Sequence, residues 1–162
     1  MKTQSFDVEA ILKEKGLSLP KPPKPSGNYL FLNQVGNIVY VSGITCKFNG
    51  EMVYKGKVGI DLSIQEGYEA SRITTLNHLS ILKDYLKDFN KIEKIVKITG
   101  YVNCDPSFAQ VPDVINGSSD LLIEIFGEKG KHARCAVGVA SLPGNAAVET
   151  DMIVLLKDEK EN

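Results

Sequence analysis

Hydrophobic and polar residues alternate in several short segments of the chain and recur at helical spacing between them. The segments YLFLNQV and NIVYVSGI flank Gly36-Asn37, a pattern that predicts a β-hairpin. From Ser63 to Phe89, apolar and small residues recur every three or four positions, which predicts a long amphipathic helix. Residues 92–103, IEKIVKITGYVN, alternate as a strand does.

A second helix and a second hairpin are predicted further along the chain. The helix occupies much of residues 112–126, and in 132–156 two runs of small and β-branched residues flank the turn Leu142-Pro143-Gly144-Asn145. The polar stretch 49–59 is a loop or an edge strand. The resulting order, ββαβαββ, indicates an α+β fold: a mixed sheet with two helices packed on one face.

The N-terminal part has a different pattern. Residues 5–15 predict a short helix with Phe6, Ile11 and Leu12 on one face, ending at Gly16. Residues 17–27 contain four of the seven prolines and favour an extended arm on the surface. The 162 residues are the size of one domain, so we expect residues 1–27 to precede a single core at 28–157.

Composition excludes several function classes. The 19 Lys and Arg residues balance 20 Asp and Glu residues, which offers no basic surface for nucleic acid. Three cysteines and two histidines lack the spacing of a disulfide framework or a metal site. The N-terminus does not resemble a signal peptide, and no apolar run has membrane-spanning length. We therefore expect a soluble, cytoplasmic protein without a metal or other cofactor.

Two charged residues stand out in the predicted 132–156 hairpin, Arg134 and Glu149. By alternation Arg134 shares its face with three small residues, Ala136, Gly138 and Ala140. If that face is the one not covered by helices, a ligand, a neighbouring subunit or both would fill the space beside the arginine. The simpler alternative is a cross-strand ion pair between Arg134 and Glu149, which contributes little when exposed.

The remaining candidates each have a structural explanation. His78 lies on the apolar stripe of the long helix and is predicted to be a packed core histidine. His132 is most simply a solvated side chain, and the same alternation turns Cys135 toward the helices as a small packed residue. Asp151 is either a second site carboxylate or a subunit-contact residue. The run Asn116–Ser119 could be only a turn and a helix cap.

At these residues the chain resembles the RidA/YjgF family of reactive intermediate deaminases, also called endoribonuclease L-PSP-like proteins. In order of elements the resemblance extends over residues 28–157, and the N-terminal arm suggests a longer branch of the family. The matching positions are Ala133-Arg134, Leu142-Pro143, Val148-Glu149, Gly36-Asn37, Ser42-Gly43 and Tyr29.

The resemblance implies a chorismate-mutase-like fold assembled as a homotrimer with clefts between subunits. It implies that Arg134 binds a substrate carboxylate and that Glu149 acts on water, with Tyr29, the Ser42-Gly43 backbone and Asn116 near the pocket. Many members have a cysteine two residues after the arginine. Here that position is Ala136, which implies a differently shaped pocket but no loss of chemistry.

The implied activity is the hydrolysis of 2-aminoacrylate-type enamines and imines to 2-keto acids and ammonia, without a cofactor. A non-catalytic trimer that senses 2-keto acids or related carboxylates through the same arginine is the competing hypothesis. Ribonuclease activity is disfavoured, because the sequence has no pair of acid-base histidines and no basic groove.

Overall fold

The computed structural model describes residues 7–159. Three α-helices occur in this part, α1 (Val8–Glu14), α2 (Ile64–Leu86) and α3 (Val111–Phe126). The strands of the same part are β1 (Leu32–Val35), β2 (Ile38–Thr45), β3 (Lys47–Phe48), β4 (Glu51–Met52), β5 (Ile92–Asn103), β6 (Ala133–Val139) and β7 (Val148–Leu156). None of the helices in residues 7–159 is long and apolar enough to cross a membrane.

The predicted α+β architecture and the core order ββαβαββ are confirmed. Gly36, with φ 59°, joins β1 to β2, and α2 begins after a capping box formed by Ser63 and Glu66. The polar stretch 49–59 contributes β4, which forms a small separate sheet with β3. The predicted N-terminal helix exists as α1; Phe6 lies outside the described residues.

The pairing predicted for residues 132–156 is wrong. The five-stranded sheet has the order β1-β2-β7-β5-β6, so β5 separates β6 from β7. Strand β6 runs parallel to β5, and β7 runs antiparallel to it. Ala147, in the connection between β6 and β7, is hydrogen-bonded to other segments of the chain. Its amide donates to the Tyr54 carbonyl at 3.1 Å, and its carbonyl accepts from the Asn103 amide at 2.9 Å.

Helices α2 and α3 cover one face of this sheet. On β7 every second residue, from Val148 to Leu156, is buried beneath them. His78 of α2 is 1% exposed and its Nε2 donates to the Thr150 carbonyl at 2.8 Å, which confirms it as a core histidine. Burial lowers the pKa of His78 to about 4, although its hydrogen bond with the Thr150 backbone opposes this shift.

The two helices touch at Gly117 and Ser118. A Cβ at Gly117 would overlap the Tyr68 carbonyl oxygen, and the Ser118 hydroxyl lies 2.8 Å from that of Ser71. The run Asn116–Ser119 is therefore part of the interior of α3, and its prediction as a turn and cap is wrong. Its small residues allow the close approach of the helix backbones.

The N-terminal arm packs against the core without regular secondary structure over residues 17–31. Pro20 is buried, and its carbonyl accepts a hydrogen bond from the Ser80 hydroxyl at 2.6 Å. The next amide, that of Lys21, donates to the Asn49 side chain at 2.8 Å. These contacts hold the arm against α2 and the turn between β3 and β4.

Candidate active site

Arg134 faces helix α3. It pairs in register with Ile98 of β5, which is 1% exposed on the helix-covered face. Its Nη1 donates to Asn116 Oδ1 at 2.8 Å and to Ser119 Oγ at 3.2 Å. Arg134 and Asn116, two of the predicted site residues, are therefore in direct contact.

The predicted assignment of the faces of β6 is consequently reversed. Alternation along the strand is correct, but it is Arg134, Ala136 and Gly138 that point toward α3, while Cys135 is exposed. The residues at 136 and 138 are small because the structure beneath them is close: a Cβ at Gly138 would lie 2.8 Å from Cys104 Sγ. The small residues accommodate this packing and do not by themselves indicate an external ligand.

The alternative of an ion pair between Arg134 and Glu149 is also wrong. Strand β5 lies between their strands, and within residues 7–159 no carboxylate is within ion-pairing distance of Arg134. The polar atoms that hold the guanidinium are the neutral oxygens of Asn116 and Ser119.

Ser119 and His132 extend the hydrogen bonds around Arg134, and neither was predicted as a site residue. Ser119 Oγ lies 2.9 Å from His132 Nε2, and His132 Nδ1 lies 2.6 Å from the Gly130 carbonyl oxygen. His132 is thus partly buried and hydrogen-bonded, not simply solvated. The spacing of Asn116 and Ser119, three residues apart on one helix, was the available signal that both reach the same partner.

Glu149 lies in a different place, in a cleft of about 200 Å³ between β2, β7 and the N-terminal arm. The cleft is also lined by Tyr29, Lys24 and Pro143, and Gly43 forms its floor beside the carboxylate. A Cβ at Gly43 would lie 2.6 Å from Glu149 Oε1, so only glycine leaves room for this carboxylate position. Tyr29, Gly43 and Glu149 are therefore brought together as predicted.

Burial raises the pKa of the Glu149 carboxyl, and the nearby Asp151 charge raises it further. Asp151 accepts a hydrogen bond from the Tyr101 hydroxyl at 3.2 Å, on the sheet face not covered by helices. Tyr101 and Glu149 are cross-strand neighbours in the register of β5 and β7. Glu149 is thus a partly desolvated carboxyl group beside a second carboxylate, an arrangement that favours its protonated form and suits a group that exchanges protons with a substrate.

Ser42 and Tyr29 differ in their relation to the cleft. The Ser42 hydroxyl donates to the Leu30 carbonyl at 2.7 Å, and the Ser42 amide donates to that of Phe31 at 2.7 Å. Ser42 therefore anchors the segment that carries Tyr29 and is not among the residues that line the cleft. The Tyr29 ring packs edge-on against Phe31, with 5.9 Å between ring centroids.

Across residues 7–159, no group of histidine, cysteine, aspartate or glutamate side chains is arranged to hold a metal ion. The candidate site thus consists of two parts. One contains Arg134 with Asn116, Ser119 and His132; the other contains Glu149 with Gly43 and Tyr29.

Comparison with known proteins shows relatives over nearly the whole chain. Residues 9–156 match the family model described as "YjgF/chorismate_mutase-like, putative endoribonuclease". Protein TCP17 of Trypanosoma cruzi is 40% identical over 152 residues, which cover 93% of this chain and 95% of the relative. The 2-iminobutanoate/2-iminopropanoate deaminase of Dermatophagoides farinae is 28% identical over 143 residues, which cover 87% of this chain and 95% of the relative.

A solved structure has a closely similar fold. The protein Atu1372 with unknown function from Agrobacterium tumefaciens superposes with a TM-score of 0.88 at 39% identity, covering 93% of this chain and 92% of that chain. The overall fold described above is therefore shared with that protein.

Proposed function

We propose that this chain, which belongs to the YjgF/chorismate mutase-like family, hydrolyses reactive enamine and imine intermediates of the 2-aminoacrylate type. The products are a 2-keto acid and ammonia. The Dermatophagoides farinae relative is named for an activity of this class, and the two parts of the candidate site contain the groups that the reaction needs.

The observation that carries the proposal is the environment of Glu149. Its carboxyl group is partly buried in a cleft, its pKa is raised, and a glycine leaves space beside it. After the enamine tautomerises to the imine, water adds to the C=N carbon. Glu149 accepts a proton from that water and returns a proton to nitrogen as the carbinolamine collapses. Because the substrate is already reactive, modest acid-base assistance of about 10² to 10⁴-fold suffices.

Arg134 supplies the carboxylate anchor in this proposal. Only Nη1 of its guanidinium is bonded to Asn116 and Ser119, which leaves Nε and Nη2 for a ligand. A guanidinium holds a planar carboxylate with two parallel hydrogen bonds, and it stays charged at any physiological pH.

We further propose that the complete site forms between subunits of a homotrimer. Within one chain Arg134 faces α3 and Glu149 faces the uncovered side of the sheet, so one small imino acid cannot contact both. A neighbouring copy that covers the open sheet face would supply the missing half. Light scattering should give a mass about three times the 17.7 kDa of one chain. A monomer mass at micromolar concentration would contradict the assembly.

The test of the activity is ammonia or 2-keto acid release from an imine that a second enzyme generates in the assay. Purified protein should accelerate this release above the spontaneous rate. An acceleration that is absent over a range of protein concentrations would contradict the deaminase proposal and favour the sensor hypothesis.

A mixing experiment tests the shared site separately. Arg134→Ala and Glu149→Gln are each expected to be inactive alone. Co-refolded in equal amounts, they should recover up to about a quarter of wild-type activity, because one trimer interface in four then combines two intact halves. The matched control mixes Arg134→Ala with the double variant, in which no interface has both groups. Equal activity in the two mixtures would contradict a site shared between subunits.

A further inference from the structure

A relay of hydrogen bonds leads from the backbone before β6 to the guanidinium of Arg134. It runs from the Gly130 carbonyl through His132 and Ser119 to Arg134 Nη1, with separations of 2.6, 2.9 and 3.2 Å. Nothing in the proposed reaction uses Ser119 or His132 directly, yet each is placed with a defined partner on both sides.

The direction of every bond in the relay follows from the chemistry of its ends. The Gly130 carbonyl can only accept, so His132 Nδ1 carries the hydrogen. In the neutral ring Nε2 is then an acceptor and takes the Ser119 hydroxyl hydrogen. The Ser119 oxygen therefore directs a lone pair toward Arg134 Nη1 and accepts a hydrogen bond from it.

The neutral ring is favoured at His132. Burial lowers the pKa of this histidine; the hydrogen bond to the Gly130 carbonyl opposes the shift, and the Arg134 charge adds to it. Without the histidine the Ser119 hydroxyl would be free to rotate, and helical serines commonly turn to a carbonyl in the preceding turn.

The relay also determines which edge of the guanidinium remains available. Nη1 has two hydrogens, and it has two acceptors on α3, Asn116 Oδ1 at 2.8 Å and Ser119 Oγ at 3.2 Å. Both Nη1 hydrogens are thereby engaged. The edge formed by Nε and Nη2 then remains as the only pair of parallel donors for a carboxylate.

We propose that Ser119 and His132 are positioning residues, which fix the Arg134 guanidinium so that a substrate carboxylate binds side-on to its Nε–Nη2 edge. The proposal rests on the function proposed for Arg134 as carboxylate anchor. It assigns to His132 a role that depends on the acceptor at Nε2 and not on proton transfer to the substrate.

Four variants test the relay. Ser119→Ala removes the oxygen between His132 and Arg134. His132→Leu removes the acceptor, whereas His132→Gln places an amide oxygen near the position of Nε2 and preserves it. Ser118→Ala is the matched control, because it removes a neighbouring α3 hydroxyl that bonds to Ser71 and not to Arg134.

Binding and kinetics are measured side by side. Calorimetry with 2-oxobutanoate as the probe gives the dissociation constant, and imine hydrolysis gives KM and kcat. We expect Ser119→Ala and His132→Leu to weaken binding and raise KM by about three- to tenfold, as for loss of one hydrogen bond, with kcat little changed. His132→Gln should remain near wild type, and Ser118→Ala should lower the melting temperature without altering binding.

A nitrogen-15 spectrum of the His132 ring adds a readout that packing alone would not change. It should report the tautomer protonated at Nδ1 in wild type at neutral pH. The opposite tautomer would overturn the direction of the relay.

The outcomes separate this proposal from the proposed function. If Ser119→Ala binds 2-oxobutanoate as well as wild type, the relay is overturned while the deaminase proposal stands. If Ser119→Ala and His132→Leu weaken binding of the probe as expected but wild type hydrolyses no imine, the relay stands and the deaminase proposal fails. If wild type does not bind 2-oxobutanoate, the relay is overturned, and the imine assay alone decides the deaminase proposal. If His132→Gln and His132→Leu lose binding and thermal stability equally, His132 is structural and the relay is overturned.

Discussion

Arg134 and Glu149 project from opposite faces of one sheet, on strands that are separated by β5. Arg134 is held by the oxygens of α3, and Glu149 is held beside Gly43. The two groups can therefore be tested independently, because neither completes an ion pair with the other.

Arg134→Lys should be nearly as damaging to ligand binding as Arg134→Ala. Lysine preserves the charge but offers no pair of parallel donors and cannot bond to Asn116 and Ser119 in the same way. Hydrogen bonds to charged groups contribute roughly 1.5 to 3 kcal/mol each, so binding of a 2-keto acid should weaken by at least about tenfold. Calorimetry on both variants measures this. Undiminished binding in the lysine variant would rule out a requirement for the planar guanidinium.

Glu149→Gln should retain binding of a 2-keto acid but lose most imine hydrolysis. An amide can hydrogen-bond water but cannot accept its proton, so kcat should fall by about 10² or more, within the range of general acid-base catalysis. Steady-state kinetics and calorimetry on the same preparation measure the two effects. Hydrolysis at the wild-type rate would make Glu149 a structural residue and favour the competing hypothesis of a carboxylate sensor.

Gly43→Ala should reduce hydrolysis while the protein remains folded. The added methyl group would lie 2.6 Å from Glu149 Oε1, closer than van der Waals contact permits, so the carboxylate must move. A displacement of about 1 Å in a catalytic group can lower the rate by about 10²-fold. Activity is compared with circular dichroism and melting temperature. Ser42→Ala is the adjacent control, since it alters the Leu30 contact and leaves the carboxylate position free.

The buried His78 predicts a pH dependence of stability. Its native pKa of about 4 lies below the ordinary histidine value of 6.5. As the pH falls from 6.5 toward 4 the unfolded chain gains a proton that the native chain does not bind, and the free energy of unfolding decreases. The full difference corresponds to about 3 kcal/mol.

Urea unfolding at pH 7 and pH 4.5 measures this effect, at one protein concentration in case assembly contributes. His78→Gln retains a donor for the Thr150 carbonyl but does not titrate. Its stability should therefore decrease less between the two pH values than that of wild type. An equal decrease in both proteins would assign the acid sensitivity to other groups.

Local patterns in the sequence were sufficient for most elements. Strand β5 has the predicted bounds, residues 92–103, because all of its residues are adjacent in the chain, although two bulges before Lys97 interrupt the alternation of burial. The β1–β2 hairpin followed from Gly36-Asn37 for a similar reason: turn and strands are adjacent in the chain. The grouping of Tyr29 and Gly43 with Glu149 came from the family resemblance and not from the pattern.

The failures concern relations between distant segments. Residues 132–156 resemble a hairpin locally, but β5 enters between the two strands and pairs with both. Alternation on β6 separates Arg134 from Cys135, yet it does not say which face a helix will cover. The contact of Arg134 with Ser119 likewise depends on how α3 docks, which no local pattern specifies.

The contact between α2 and α3 has a consequence for how the site can change. Gly117, where the lack of a side chain lets α3 approach the Tyr68 carbonyl of α2, lies between Asn116 and Ser119 in the chain. One residue corresponds to about 100° around a helix axis, so even a fraction of such a turn would move both acceptors away from Arg134. Evolution or engineering of substrate range therefore has more freedom at the rim of the Glu149 cleft, where Lys24 and Tyr29 belong to an arm that can vary without rotating any helix.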